Sequence, residues 1–454
     1  MSFDFLVFGA GLSGLTCALR LAKAKRRVAL VESSPRPGGV ILSEHRDGFL
    51  LEHGPNSFTS SEAIHTLIDE LGLRERALCR PLRNYERFIW KEGRLRRVPT
   101  GPPQFVTSDV LTLAEKVRLV RGLFARQEPL ETDAELGRYF RELLGDAAVE
   151  SLLKPFFAGI YAADADHVSF EATFNKLYES TRRHHSLIGA IRGMRAGAKK
   201  PRTPRSLVSF PDGLHELPHT LCEHLRSLAV DIRLAEGGNM ALRREVDQWA
   251  ADLPSGTIRA PHVVIATPAD AAARLLQHHA PALTDFLNTI PYARLTILHV
   301  GLREDQLEDG RNGFGFLSVA NQGVRALGMI WSDRIFPNRA PQGHRLLTCF
   351  FGGEKDPQAN DFTDDQLQQI IREDLKTTMG FRGGDFPLFS VTRWQRALPV
   401  FRLGHVHRQR AASSAIPTGI HLIGNYLTGV SIPDRVEAAM NLAAHLTAGG
   451  APAG

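Results

Sequence analysis

Cysteine is scarce in this sequence: four among 454 residues, at Cys17, Cys79, Cys222 and Cys349. No two form a C-x-x-C pair, so neither a disulfide framework nor a zinc site is suggested, and a reducing compartment is expected. No apolar run reaches the roughly 18 residues that a spanning helix needs. The first strand, begun by Phe3, leaves no room for a leader peptide on this chain, which makes a cytoplasmic location the expectation. Eighteen histidines are dispersed without i, i+4 metal spacing, and no Ser/His/Asp triad or paired-carboxylate constellation stands out.

What is present is ordinary globular composition, 43% hydrophobic and 23% charged, over a length that predicts two or three domains. The net charge of +6 is unevenly placed. Residues 181–211 hold Arg182, Arg183, Arg192, Arg195, Lys199, Lys200, Arg202 and Arg205 with no Asp or Glu, leaving the remainder slightly acidic. Such a run is a solvated basic loop or a surface attracted to anionic lipid. The lack of interleaved aromatics argues against nucleic acid.

The opening stretch FDFLVF reads as a buried parallel strand, followed by a helix from Leu12 to Lys25 and a second strand ending at Glu32. The turn between them carries Gly9, Ala10, Gly11, Leu12, Ser13 and Gly14, the G-x-G-x-x-G spacing that lets a pyrophosphate approach a helix N-terminus. Glu32 is placed to accept from ribose hydroxyls, with Ser33 beside it. Arg36, Gly39 and Val40, then Gly54, Pro55, Asn56 and Ser57, extend the glycine-rich surface beyond what an NAD fold uses. Near the other end, HLIGNYLTGVSIPDRVEAA (421–439) repeats a strand–loop–helix construction through Gly424, Val430, Ser431 and Ile432. Its helix start offers unpaired N–H groups and the positive end of a helix dipole. Between these ends, 106–126 has helical spacing with Val110, Leu113, Val117 and Val120 on one face. Short β-rich runs over 290–353 predict an antiparallel sheet.

These features resemble the FAD-binding, two-dinucleotide-domain flavoproteins of the amine-oxidase class. The ordered series GPNSF (54–58), FFAGIYAAD (156–164), HHSLIGAIRG (184–193), GFGFL (313–317), FPNRAP (336–341), FFGG (350–353) and GNYLTGVSIPD (424–434) resembles the porphyrinogen oxidase family within it. The resemblance implies an α/β fold (α+β overall). A Rossmann-like FAD domain would be built from 1–85, 206–270 and 395–454, a substrate-binding sheet domain from 86–100 and 271–394, and a helical, membrane-associating domain from 101–205. It implies non-covalent FAD contacted by the glycine-turn residues above, by Gly238 in the adenine region, and by Trp394, Val430, Ser431 and Ile432. Arg87, Ala163, Leu317, Ile330 and Phe350 would line the substrate pocket, the arginine meeting a propionate and the rest an apolar macrocycle.

Two departures stand out. Ala163 replaces a glycine of the family's loop, which matters if that position needs positive φ, and Arg435 stands where a cysteine is common. The implied reaction removes hydride from a meso carbon of protoporphyrinogen to flavin, with dioxygen reoxidising the flavin to give hydrogen peroxide. Coproporphyrinogen III is the alternative substrate. Remoter readings are another flavin oxidase of amines or polyenes, or a binding protein of the GDP-dissociation-inhibitor type that lacks redox chemistry. No cysteine follows Cys349, so a tether to a late cysteine is excluded. Expected partners are the porphyrinogen, dioxygen, an anionic membrane surface and a second copy of the chain, but no nucleic acid.

Overall fold

The computed structural model describes residues 2–128, 130, 133–197, 205–238 and 240–448. Lys199, Lys200 and Arg202 of the basic run lie outside them.

The strand Phe5–Phe8 is buried along its whole length, as an unbroken apolar run requires of a strand covered on both faces. Among the described residues it lies in a five-stranded parallel sheet, between Val28–Val31 and His262–Ile265. The edges are Asp231–Arg233 and Ile420–Leu422. The two ends of the chain are thereby joined in one layer. The helices Leu12–Lys23 and Ile432–Thr447 pack against each other on one side of it, sharing a core of Leu15, Leu19, Val436 and Ala439. On the other side, Ala269–Leu276 and Pro281–Asn288 pack with Leu6 and Phe8. The second of these helices and most of the first fall in the stretch that the sequence assigns to the sheet domain, yet their apolar residues belong to the parallel-sheet core.

The second sheet has seven described strands in the order Leu388–Pro399, Tyr292–Arg303, His344–Gly352, Gly328–Trp331, Gly315–Ser318, Arg87–Lys91 and Arg94–Arg97. It is antiparallel except where Gly315–Ser318 meets Arg87–Lys91. Alternation along its strands separates two faces. Leu298, Val300, Cys349 and Phe351 point to the helix Asp364–Met379 and form a closed core with Leu367, Ile371 and Leu375. The other face carries Leu295, Ile297 and Phe350.

The single helix expected over 106–126 is two, Pro102–Thr107 and Leu113–Phe124. Thr112 starts the second with a capping box to Glu115. Val110, left in the connecting turn, is buried, whereas Leu113 is 78% exposed and Val117 50%. The apolar stripe read from the sequence therefore faces outward. The rest of the helical block closes over Phe140, Phe157, Phe170 and Tyr178.

Candidate functional site

Two cavities run into each other beneath the ends of the parallel strands. The first, about 1070 Å3, is lined by Gly9, Gly11, Leu12 and Ser13 at the start of the first helix, and by Glu32, Ser33, Gly39, Val40, Gly238, Trp394 and Gly424. The second, about 760 Å3, is lined by Val40, Gly54, Pro55, Asn56, Ser57, Trp394, Val430, Ser431 and Ile432 at one end, and by the open face of the large sheet beyond. They share Val40, Trp394, Ala397 and Arg435 and so make one continuous groove.

The glycines of the first turn each have a distinct reason. Gly9 sits at φ +99°, where an added Cβ would meet the Ala266 carbonyl oxygen at 2.8 Å. A Cβ on Gly14 would overlap the Gly9 carbonyl oxygen, so this glycine lets the helix lie against the strand and does not itself reach the cavity. At Gly11 an added Cβ would find nothing within 4 Å. It would project into the space in front of the helix's unpaired N–H groups, where an anion is favoured. Glu32 Oε2 accepts from Ala10 N at 2.7 Å, and Oε1 from Ser34 N at 2.8 Å and Ser33 Oγ at 3.2 Å. A carboxylate has about four acceptor positions, of which these bonds take three, and Glu32 borders the cavity. Ala10 and Arg36, counted from the sequence among the contact residues, act from behind the wall. Arg36 donates to Ile41 O at 3.0 Å and Gly39 O at 2.9 Å, bracing the second glycine turn. These shapes fit a flavin dinucleotide.

At the other end, Ser431 caps Ile432–Thr447, its hydroxyl accepting from Asp434 N at 3.2 Å. The helix start opens on the second cavity. Trp394 borders both cavities and is held by a 2.6 Å hydrogen bond from its indole N–H to His53 O. Strand register supplies the apolar wall: Ile297 lies opposite Phe350 and Leu295 opposite Trp394, with Ile330 beside them. The facing wall is Gly159, Ile160, Tyr161 and Ala162.

Three residues expected in the pocket do not reach its wall. Arg87 is half-buried, which pushes its pKa down, and its guanidinium lies 5.4 Å over the Phe314 ring; Phe314 is the residue that meets the cavity. Leu317 turns toward Gly159, where even a Cβ would overlap its side chain. Ala163 is buried in the helical core. The left-handed residue of that loop is Ala162, at φ +53°, not Ala163. The sequence missed Lys176, Arg205 and Arg435, all of which border the second cavity. Arg205 was hidden in a basic run that reads as a solvated loop, and Arg435 was visible only as a departure from the family pattern. Among the described residues no group of His, Cys, Asp or Glu could hold a metal ion, and no cysteine borders either cavity.

Residues 12–447 match the model of the flavin containing amine oxidoreductase family, and the chain belongs to that family. It is an oxidoreductase with FAD as its cofactor. The relatives narrow the group further. The chain is 31% identical to the chloroplastic protoporphyrinogen oxidase of Nicotiana tabacum, over 98% of this chain and 85% of the relative. It is 28% identical to the coproporphyrinogen III oxidase of Bacillus subtilis, over 95% of each. A crystal structure of a protein from Exiguobacterium sp. 255-15 superposes with a TM-score of 0.82 at 26% identity, covering 99% of both chains.

Proposed function

We propose that this protein is an oxygen-dependent porphyrinogen oxidase, taking protoporphyrinogen IX to protoporphyrin IX. The observation that carries the reading is the apolar slot itself. It is continuous with the ring end of the dinucleotide groove, and Leu295, Ile297, Ile330 and Phe350 make its floor. A porphyrinogen is a large, greasy macrocycle with charged propionates, so it needs such a floor and cations at the margin. Lys176 and Arg205 supply those cations.

Bound FAD supplies the hydride acceptor and passes electrons to dioxygen. The chain's own part is positional. Phe350 stacks on the macrocycle and Ile330 packs against it, Trp394 and the helix start at Val430–Ile432 fix the depth of the ring, and the Gly159–Ala162 segment closes the slot against water. No side chain is required to take the hydride.

Lys176 and Arg205 are the cations of this cavity away from its join with the dinucleotide groove, which suits the two propionates of protoporphyrinogen, while Asp434 and Glu437 also line it and disfavour the four of coproporphyrinogen. Coproporphyrinogen III oxidase activity, as in the Bacillus subtilis relative's name, is the second reading. Turnover of both porphyrinogens by the FAD-loaded protein, followed by porphyrin fluorescence and hydrogen peroxide yield, tests it. Preference for coproporphyrinogen would reverse the assignment, and turnover of neither would end it.

Peripheral contact with an anionic membrane is part of this proposal. Leu113, Val117, Val120 and Phe124 form an exposed stripe on one helix, among Lys116, Arg118 and Arg121. No described helix is long and apolar enough to cross a membrane. Binding to anionic but not neutral vesicles at low salt is the expected result. No binding to either would remove the membrane from the proposal.

A further inference from the structure

The join between the two cavities is bordered by Val40, Trp394, Ala397 and Arg435. Arg435 stands in the first turn of Ile432–Thr447, and its Nε is buried without a hydrogen-bond partner. The adjacent Asp434 is taken up locally, accepting from Ser431 Oγ at 2.5 Å. Two other arginines of the first cavity, Arg274 and Arg396, are both paired with Asp270. Arg435 therefore makes no salt bridge among the described residues, although the charge of the adjacent Asp434 acts on it. Burial pushes its pKa down only to about 10, so it stays charged at neutral pH. The side chain is half-buried, and its buried, unpartnered Nε is costly unless a ligand supplies the anion.

We propose that Arg435 is the counter-ion of the pyrophosphate of the bound flavin dinucleotide, engaging it where the two cavities meet. The join lies between the N-terminus of Leu12–Lys23 and that of Ile432–Thr447. In an extended dinucleotide, that span holds the phosphates and the sugar-alcohol linker. The phosphates carry full charge in both redox states of the ring, whereas the ring's edge becomes anionic only on reduction. A planar guanidinium fork suits phosphate oxygens. The inference rests on the flavin reading of the groove.

The test is titration of flavin-free wild type, Arg435→Gln and Arg435→Lys with FAD, followed by flavin fluorescence, with folding checked by circular dichroism. Arg435→Gln is expected to weaken FAD binding at least about tenfold, Arg435→Lys less, and added salt to weaken wild type more than Arg435→Gln. The two-electron potential should stay within about 30 mV of wild type, the equivalent of a tenfold change in relative affinity. Unchanged FAD affinity overturns the proposal. So does a larger drop in potential at unchanged affinity for oxidised FAD, which would assign the charge to the ring. If Arg435→Gln fails to fold, Arg435→Lys decides on the same two readouts. Wild type that binds no FAD would overturn the flavin reading instead.

Discussion

Gly11 and Gly14 stand three residues apart and should fail in opposite ways when given a methyl group. Gly11 has φ −68° and ψ 172°, which alanine adopts freely, and open space beyond it. Losing glycine at the N-cap costs at most about 1 kcal/mol, and the stiffer unfolded chain returns about 0.4–1 kcal/mol. The flavin-free Gly11→Ala protein should therefore melt like wild type. Its methyl, however, occupies the space where phosphate oxygens would meet the helix N–H groups, so FAD affinity should fall about tenfold or more, some 1.4 kcal/mol.

At Gly14 the added Cβ would overlap the Gly9 carbonyl oxygen, with Gly9 C at 3.1 Å and Ala266 Cβ at 3.2 Å. Backbone cannot rotate away, so the cost lies near the upper end of overpacking, about 3 kcal/mol. Alanine's helix preference returns about 1 kcal/mol, leaving a net loss of about 2 kcal/mol. At roughly 2.1 cal/mol/K per residue, unfolding a chain of this length has an entropy near 1 kcal/mol/K, so Tm should drop by about 2 °C. The measurement is thermal circular dichroism on both flavin-free variants, with FAD titration of each. Should flavin-free Gly11→Ala melt below Gly14→Ala, or bind FAD like wild type, the division of labour between the two glycines is wrong.

Phe350→Ala should raise KM for the porphyrinogen about tenfold, from about 1–1.5 kcal/mol of lost ring contact, with FAD affinity unchanged; steady-state kinetics beside FAD titration checks this. Glu52 and Arg339 are 3% and 1% exposed and 3.1 Å apart. Glu52→Ala would strand the guanidinium and should cost about 3–5 kcal/mol in urea unfolding, and a loss under 1 kcal/mol would contradict the pairing. Burial holds His299 down to about 3 and His405 and His421 to about 4, against about 6.5 in the unfolded chain. Only the unfolded state takes up these protons as pH falls, so this contribution to stability is present above about pH 6.5 and is lost on acidification toward pH 4. His299→Gln should flatten the pH dependence of the urea midpoint, and an unaltered profile would acquit that histidine.

The parts of the site that are local in sequence were legible there. A strand, its glycine turn and the following helix occupy one stretch, so spacing alone exposes Gly9 to Gly14. The late loop at 424–432 is equally compact. The slot was only half readable, because its wall is set by register between distant strands. Ile330 and Phe350 fall on the open face, but Leu317 sits one pairing away, against Gly159, and Arg87 is absorbed by Phe314. Spacing put Val110, Leu113, Val117 and Val120 on one face; the last three do share a helix face, but Val110 lies buried in the turn before it, and spacing could not say which way the face points. Nor could it show that Thr112 restarts the helix. Arg205 and Lys176 acquire their position only when the helical block closes on the sheet.

The parallel layer that joins Phe5–Phe8 to Ile420–Leu422 also sets a timetable. At synthesis rates of about 5–20 residues per second, the first strand waits roughly 20–80 s for the edge strand that completes its sheet. The helix whose start would cap the flavin ring emerges later still. Prosthetic-group loading is thus deferred until translation is nearly over, and a nascent chain stalled before residue 420 should be unable to retain the group however long it waits.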